Sequence, residues 1–199
     1  MVKFSQYIQD KNVLLVGPSD TMTGRGLGSL IDSYDVVCRM NKHAVSTKIN
    51  NDDFGTRCDV IYLNGYCCDN YNIREIEKTW IVTKYSIGSK KKRFTDNLRG
   101  VRQYLVNRGV NEPLMGTLAT VHIMLNHTKT TTIMGFDWYS MPIAHATGYN
   151  DGNIFDYEKV DLQHDIKQNI LYIDSIRNRI IMPDFQLEIF DKLVEELKQ

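Results

Sequence analysis

A glycine-rich turn near the start of the chain, "VGPSDTMTGRGLG" (residues 16–28), carries residue types that can hold a phosphate group. It follows a short apolar run, residues 12–17, that ends in glycine as buried strands often do. Gly17 permits a positive φ or a close backbone approach, while Ser19 and Asp20 can bond a ligand. Amides at the start of the following helix can face a phosphate. A plain turn with a serine or aspartate N-cap fits equally well, so both interpretations stay open.

The turn departs from two common nucleotide-binding motifs. A P-loop needs a lysine after its glycines, and none follows here. A dinucleotide fingerprint places GxGxxG directly after the strand, whereas Gly24 is the first glycine after Gly17. No acidic residue ends the strand-like run at residues 35–41 to contact a ribose. These departures disfavour a Rossmann-type oxidoreductase.

Composition indicates one globular domain over residues 1–199. The chain is 42% hydrophobic and 24% charged, and Lys+Arg and Asp+Glu are both 24. A balanced charge gives no reason to expect a nucleic-acid or acidic-membrane partner. No apolar run approaches the ~20 residues of a transmembrane helix, and the first residues lack a signal-peptide core. We therefore expect a cytoplasmic protein without a transmembrane segment.

The four cysteines form no recognisable metal or disulfide motif. Cys38 and Cys58 lie in apolar, strand-like runs, whereas Cys67 and Cys68 are adjacent in a polar turn. No CxxC spacing or histidine-rich cluster completes a metal site. We expect structural or free thiols.

Strands and helices alternate along the chain. Apolar runs predict strands at residues 12–17, 35–41, 58–64, 79–85, 130–139 and 178–183. Helical spacing predicts helices at residues 26–34, 96–109, 116–127, 161–176 and 184–198. The alternation predicts an α/β, Rossmann-like fold in which a mostly parallel sheet carries helices on both faces. Ligands bind beyond the carboxyl ends of such strands, which brings together residues 17–28, 39–41, 64–66 and 135–139.

The full stretch "VGPSDTMTGRGLGSLIDSYDVVCRMN" (residues 16–41) resembles the large sialylmotif of the sialyltransferases. That motif reads approximately V-G-N-S-x-x-L-x-G-x-G-x-G-x-x-I-D-S-x-D-x-V-x-R-M-N, and the match has no gap. Pro18 replaces the family asparagine that contacts the nucleotide, and Met22 replaces a leucine. Because proline donates no hydrogen bond, the resemblance leaves binding of the nucleotide donor to the following residues: Gly17, Ser19, Asp20, Asn41 and Asn64.

The segment "PLMGTLATVHIMLNHTKTTTIMGFDWY" (residues 113–139) resembles the small sialylmotif. In the family its Ser-Thr-Gly turn touches the cytidine and ribose of the donor, which here implies Gly116 and Thr117. A strand–turn–helix unit with Thr117 as N-cap is the alternative. Trp138 could stack on a sugar or base, or belong to the core.

The segment "HDIKQN" (residues 164–169) resembles the very short sialylmotif, whose histidine is the catalytic base. His164 matches that histidine, and Asn169 replaces the glutamate that follows in the family. Residues 145–159 stand where the family has a further motif, which implies His145 as the group supporting the leaving phosphate and Tyr157 as a donor contact.

The resemblance implies a compact, bacterial or viral style of sialyltransferase with a GT-A-like variant fold. It would transfer sialic acid, or a related keto-sugar such as Kdo, from a CMP-activated donor to a glycan hydroxyl, with inversion. No metal and no cofactor beyond the CMP-sugar co-substrate are expected, since Asp137 stands alone where an Asp-x-Asp cluster would bind a metal. The alternative is a catalytically impaired CMP-binding domain of the same fold, which Pro18 and Asn169 favour.

Overall fold

A parallel sheet of six strands forms the centre of the computed structural model, which describes residues 3–41, 50–64, 79–83, 95–139 and 165–199. All its strand pairs are parallel, in the order β5-β4-β3-β2-β1-β6. The strands are β1 (Asn12–Val16), β2 (Val36–Met40), β3 (Val60–Leu63), β4 (Trp80–Thr83), β5 (Thr95–Asn97) and β6 (Thr130–Met134). The predicted α/β, Rossmann-like fold is confirmed.

Helices cover both faces of this sheet. They are α1 (Phe4–Ile8), α2 (Gly28–Asp32), α3 (Asn51–Phe54), α4 (Arg99–Val106), α5 (Met115–Leu125), α6 (Ile166–Ser175) and α7 (Asp184–Lys198). Val13 and Leu15 of β1 pack into the core that contains α1, α4, α5, α6 and α7, whereas Leu14 and Val16 face α2 and α3. Such burial on both faces explains why the strands are almost entirely apolar. Across the described segments, no helix is long and apolar enough to cross a membrane.

The C-terminal strand predicted at residues 178–183 is wrong except at one residue. Residues Arg177–Arg179 form a 3-10 helix, and only Ile181 pairs with the sheet. The N–H of Ile133 donates to the Ile181 carbonyl at 2.9 Å, and the N–H of Ile181 donates to the Thr131 carbonyl at 2.8 Å. Pro183, which has no N–H to donate to the sheet, is the N-cap residue of α7.

Three glycines of the first motif allow the glycine-rich turn to pack against α3. The carboxylate of Asp53 accepts hydrogen bonds from the N–H groups of Gly24 and Gly26, both at 2.8 Å. These two bonds lower the pKa of Asp53. At Gly28 a Cβ atom would stand 2.1 Å from the Asn51 carbonyl oxygen, so only glycine permits this approach. These contacts make the turn part of the scaffold.

Arg39, in the same motif, is also a scaffold residue. Its side chain is 4% exposed; Nε donates to the Arg57 carbonyl at 2.7 Å and a terminal nitrogen to the Phe54 carbonyl at 2.5 Å. Burial lowers the pKa of this guanidinium, while Cys58 and nearby carboxylates oppose the shift. Arg39 therefore anchors the segment that follows α3 to strand β2.

Candidate functional site

A cleft lies at the carboxyl ends of three neighbouring strands, β2, β1 and β6. Its described lining consists of Pro18 after β1, Met40 and Asn41 at the end of β2, residues 114–117 at the start of α5, and residues 135–139 after β6. The cleft thus joins the two sequence segments that resemble the large and small sialylmotifs. This is the sheet edge at which a parallel α/β fold binds ligands.

The start of α5 presents hydrogen-bond donors to the cleft. Leu114, its N-cap residue, makes no side-chain capping bond, and the first amides of a helix have no partner within the helix. The Thr117 side chain is also buried, with 2% exposure, and its Oγ1 finds no hydrogen-bond partner among the described residues. The partial positive charge of the helix N-terminus favours an anion or a hydrogen-bond acceptor here.

Gly116 lets the chain after β6 approach this helix closely. A Cβ atom at position 116 would lie 2.7 Å from Cε1 of Phe136, which is closer than real Cβ atoms come to a neighbour. The Phe136 ring in turn lies 5.8 Å from that of Trp138, and Trp138 lies 4.7 Å from Phe190 of α7. With 7% exposure, Trp138 is mainly a core residue whose edge reaches the cleft.

Left-handed backbone conformations cluster around the cleft. Asn41, Trp138 and Tyr139 have φ values of 48°, 47° and 62°, and all three line it. Such conformations are costly for residues other than glycine and concentrate at functional sites. At Asn41 the side-chain Oδ1 accepts a hydrogen bond from the N–H of Asn64 at 2.9 Å. That bond holds the carboxamide by its oxygen. The NH₂ group of the same carboxamide is the part that can donate a hydrogen bond to a ligand.

Asp137 is a buried carboxyl group in the wall of the cleft. It is 5% exposed, and its Oδ1 accepts a hydrogen bond from the N–H of Tyr139 at 3.1 Å. The other oxygen, Oδ2, has no hydrogen-bond partner within the described part of the chain. Burial raises the pKa of Asp137 to about 6, and the charge of Asp20 adds to the rise, although the Tyr139 N–H and the Ser19 hydroxyl oppose it. The group therefore ionises close to neutral pH.

Two buried amide side chains hold two segments that line the cleft. Gln186 of α7 bonds both the N–H and the carbonyl of Phe136, at 2.8 and 2.5 Å. Asn169 of α6 accepts from the N–H of Leu114 at 2.9 Å and donates to the carbonyls of Glu112 and Asp165 at 3.2 and 3.0 Å. Both side chains are 0% exposed. The walls are thus set by residues far along the chain.

Comparison with known proteins gives a result at the level of structure. No family model and no curated protein matches the sequence. A mammalian sialyltransferase in complex with Gal-β-1-3GalNAc-ortho-nitrophenol superposes with a TM-score of 0.59 at 17% identity, covering 90% of this chain and 71% of that one. The fold is similar to that of mammalian sialyltransferases. A second mammalian sialyltransferase structure gives a TM-score of 0.59 at 18% identity, covering 87% of this chain and 69% of that one.

Within this sialyltransferase-like fold, three residues expected to bind the donor line the cleft: Asn41, Gly116 and Thr117. Asn64 contacts the cleft residue Asn41 through its backbone. The structure therefore brings together residues from both motif-like segments, which are about 75 positions apart in the sequence. Their contacts with a donor stay predictions.

Three other expected donor residues are not part of the described lining. Gly17 donates its N–H to the Met134 carbonyl at 2.8 Å, and a Cβ atom there would lie 2.1 Å from the Gly135 oxygen. Ser19 is 1% exposed, and its hydroxyl accepts from the N–H of Thr21 at 3.3 Å. Asp20 is exposed and accepts from the Thr23 hydroxyl at 2.7 Å. In this structure the three residues form hydrogen bonds with other residues of the protein.

The expected catalytic residues His164 and His145, and Tyr157 with them, lie outside the described residues. Asp165, which directly follows His164, begins α6 and accepts a hydrogen bond from the N–H of Gln168 at 3.0 Å. In the described ranges, no three His, Cys, Asp or Glu side chains lie together as a metal site would require. The roles of the two histidines stay predictions.

Sequence reasoning missed the buried residues that shape the cleft. The sequence places Asp137 at the ligand-binding edge, within residues 135–139, but does not predict that its carboxyl group is buried. The sequence did not predict that Gln186 is buried, because a glutamine in an amphipathic helix is usually a surface residue. The sequence shows Asn169 as a departure from the family motif but does not predict its bonds to Leu114 and Glu112.

Proposed function

We propose that this protein is a sialyltransferase-like glycosyltransferase. It would transfer sialic acid, or a related keto-sugar such as Kdo, from a CMP-activated donor to a glycan hydroxyl. The observation that carries this proposal is that one cleft is lined by both segments that resemble sialylmotifs. The likeness of the fold to mammalian sialyltransferases supports it.

The described lining suits a nucleoside monophosphate. It contains no lysine or arginine, so its positive potential comes from the amides at the start of α5 and from the Asn41 carboxamide. We assign the donor phosphate to the N–H groups of Met115 and Gly116, which would stabilise the charge that develops as CMP leaves. A single phosphate needs less neutralisation than a diphosphate, which is consistent with the proposed metal-independent reaction.

The chemical step would be a single displacement with inversion. His164 removes the proton from the acceptor hydroxyl, whose oxygen forms a bond to the anomeric carbon of the donor sugar. The bond from that carbon to the phosphate oxygen breaks, and CMP leaves with the electron pair, supported by His145. An imidazole with an ordinary pKa near ~6.5 suits a general base at neutral pH.

The decisive experiment combines ligand binding with product analysis. Purified protein should gain thermal stability with CMP but not with UDP or NAD, because only a bound ligand shifts the folding equilibrium. Incubation with CMP-sialic acid or CMP-Kdo and a galactoside acceptor should yield free CMP and a glycosylated product. His164→Ala should abolish transfer while CMP still raises the melting temperature. A protein that ignores every cytidine nucleotide contradicts the proposal.

A second candidate is a CMP-binding domain that has lost transferase activity. The observation in its favour is that Pro18, which cannot donate a hydrogen bond, lines the cleft where the family motif has asparagine. This candidate predicts stabilisation by CMP without hydrolysis or transfer. Product analysis by mass spectrometry separates it from the active enzyme.

A further inference from the structure

The free oxygen of Asp137 has no role in the reaction described above. A desolvated carboxylate oxygen without a partner is costly, and buried polar groups in native proteins are nearly always bonded. Oδ1 accepts from the Tyr139 N–H and the Ser19 hydroxyl interacts with the carboxyl group, whereas Oδ2 has no hydrogen bond of normal geometry within the described part of the chain. Because Asp137 also lines the cleft, the missing partner is most simply a group of the bound ligand.

The chemistry of Asp137 restricts what that ligand group can be. An ionised carboxylate only accepts hydrogen bonds, so the ligand must present an N–H or O–H. The surrounding wall is apolar and aromatic, with Pro18, Met40, Met115 and Phe136 among its members. A flat ring that carries an amino group fits such a wall. Acidic side chains accept from the N4 amino group of cytosine in nucleic-acid recognition.

We propose that Asp137 is the specificity-determining residue of the cleft, whose Oδ2 accepts a hydrogen bond from the amino group of a bound cytosine. This inference rests on the proposed cytidine nucleotide. Uracil carries a carbonyl oxygen at the same ring position, so its lone pairs would face those of the carboxylate. Asp137 therefore excludes uridine nucleotides by repulsion as well as selecting cytidine nucleotides by attraction.

Thr117 complements Asp137 across the base. Thr117 lines the same cleft, and its buried hydroxyl has no hydrogen-bond partner among the residues described. A hydroxyl can donate to a ring nitrogen or carbonyl, while the carboxylate accepts from an amine. Cytosine presents an amino donor beside acceptor atoms, so one unpaired acceptor and one unpaired donor in the protein match its edge.

Calorimetric titration of CMP, UMP and dCMP tests the assignment. The wild-type protein should bind CMP roughly 10- to 100-fold more tightly than UMP. Asp137→Asn should lose most of that preference, because its carboxamide can donate to the uracil carbonyl. Asp184→Asn, which changes an exposed carboxylate at the start of α7, is the matched control and should keep the wild-type ratio.

The other possible outcomes contradict the role of Asp137, its assignment to the base, or the proposed function. An Asp137→Asn variant that keeps the CMP:UMP ratio contradicts the role of Asp137, and so does a wild-type protein with no preference. If the variant loses instead the preference for CMP over dCMP, the carboxylate contacts the ribose 2′-hydroxyl and the assignment to the base is wrong. A wild-type protein that binds no cytidine nucleotide contradicts the proposed function itself.

A measurement on the wild-type protein alone tests the proposal even if the Asp137→Asn variant does not fold. CMP and UMP carry the same phosphate, so the ratio of their affinities cancels the titration of that group. Protonation of Asp137 turns one acceptor oxygen into a donor. The CMP:UMP ratio should therefore decrease between pH 7.5 and pH 5, and a ratio that stays constant over this range contradicts the proposal.

Discussion

The Gln186 side chain pairs with both backbone groups of Phe136, as a neighbouring strand would. Its Oε1 accepts from the Phe136 N–H at 2.8 Å, and its Nε2 donates to the Phe136 carbonyl at 2.5 Å. Gln186 belongs to α7, fifty positions further along the chain, and is completely buried. One amide thus fixes the segment in which Asp137 lines the cleft.

Gln186→Ala should lower the free energy of unfolding by about 2–3 kcal/mol, because it leaves two backbone groups without partners. The affinity for CMP should fall as well, since the Phe136 segment is no longer held. Urea denaturation and calorimetry measure the two effects. Glu188→Ala, at an exposed position of the same helix, is the control and should change neither. A Gln186→Ala protein of wild-type stability contradicts the bracing role.

Gly17→Ala and Gly100→Ala should have opposite effects on stability. At Gly17 the new methyl group would stand 2.1 Å from the Gly135 carbonyl oxygen, a backbone atom that moves only with its strand. We expect a loss of more than about 2 kcal/mol, comparable with other severe overpacking. At Gly100, within α4, nothing lies within 4 Å, so alanine should stabilise by about 0.4–1 kcal/mol. Melting temperatures that move in the same direction contradict this interpretation.

Arg39→Lys should destabilise the protein although it keeps the charge. A lysine ammonium cannot reproduce the two guanidinium bonds to the carbonyls of Phe54 and Arg57. The expected loss is about 1–3 kcal/mol by urea denaturation, because buried acceptors lose their donor. Arg99→Lys, at an exposed site in α4, is the matched control. If Arg39 were instead a ligand contact, stability would stay constant and only affinity would change.

Asn169→Asp tests the brace on the other wall of the cleft. The aspartate keeps the acceptor for the Leu114 N–H but loses both donors and faces the carbonyls of Glu112 and Asp165. The free energy of unfolding should fall by about 2–4 kcal/mol at neutral pH. Asn107→Asp should be nearly neutral, because Asn107 is exposed and uses only its oxygen, as acceptor from Gln103. Equal effects of the two substitutions would contradict this role.

Asp137→Asn should stabilise the folded protein at neutral pH. In the folded chain Asp137 holds its proton up to about pH 6, above the ordinary value of 3.8. Between these values the folded state binds more protons than the unfolded state, so this group lowers stability as the pH rises from about 4 to 6. The variant lacks that penalty, which reaches at most about 3 kcal/mol above pH 6. Denaturation at pH 7.5 and pH 4 should show a gain that disappears in acid; a loss at pH 7.5 contradicts it.

Local patterns were sufficient to predict most of the sheet. The apolar runs ending near Val16, Met40 and Leu63 are typical of buried strands. Their alternation with helices indicates parallel pairing. The helix predicted at residues 96–109 is wrong at its start, because residues Thr95–Asn97 form strand β5 although asparagine and aspartate are rare in strands. This strand forms only because the edge of β4 offers backbone partners, which is a tertiary effect.

The candidate site was predictable only in part for the same reason. Asn41, Gly116 and Thr117 were implied by the resemblance to the sialylmotifs, and the rule that ligands bind at strand ends placed Asn41 at the same edge. The acidity of Asp137 depends on burial and on its neighbours Tyr139 and Asp20, which a sequence pattern does not encode. Likewise, the braces from Asn169 and Gln186 connect positions that are 55 and 50 residues apart.

The two braces also give the cleft an order of assembly during synthesis. The segments that resemble the large and small sialylmotifs leave the ribosome first, yet Leu114 and Phe136 gain these side-chain partners only when Asn169 and Gln186 emerge. We therefore expect a nascent chain that ends before position 186 to lack a fully formed cleft. We therefore expect CMP to protect the chain from proteolysis only when the chain extends beyond position 186.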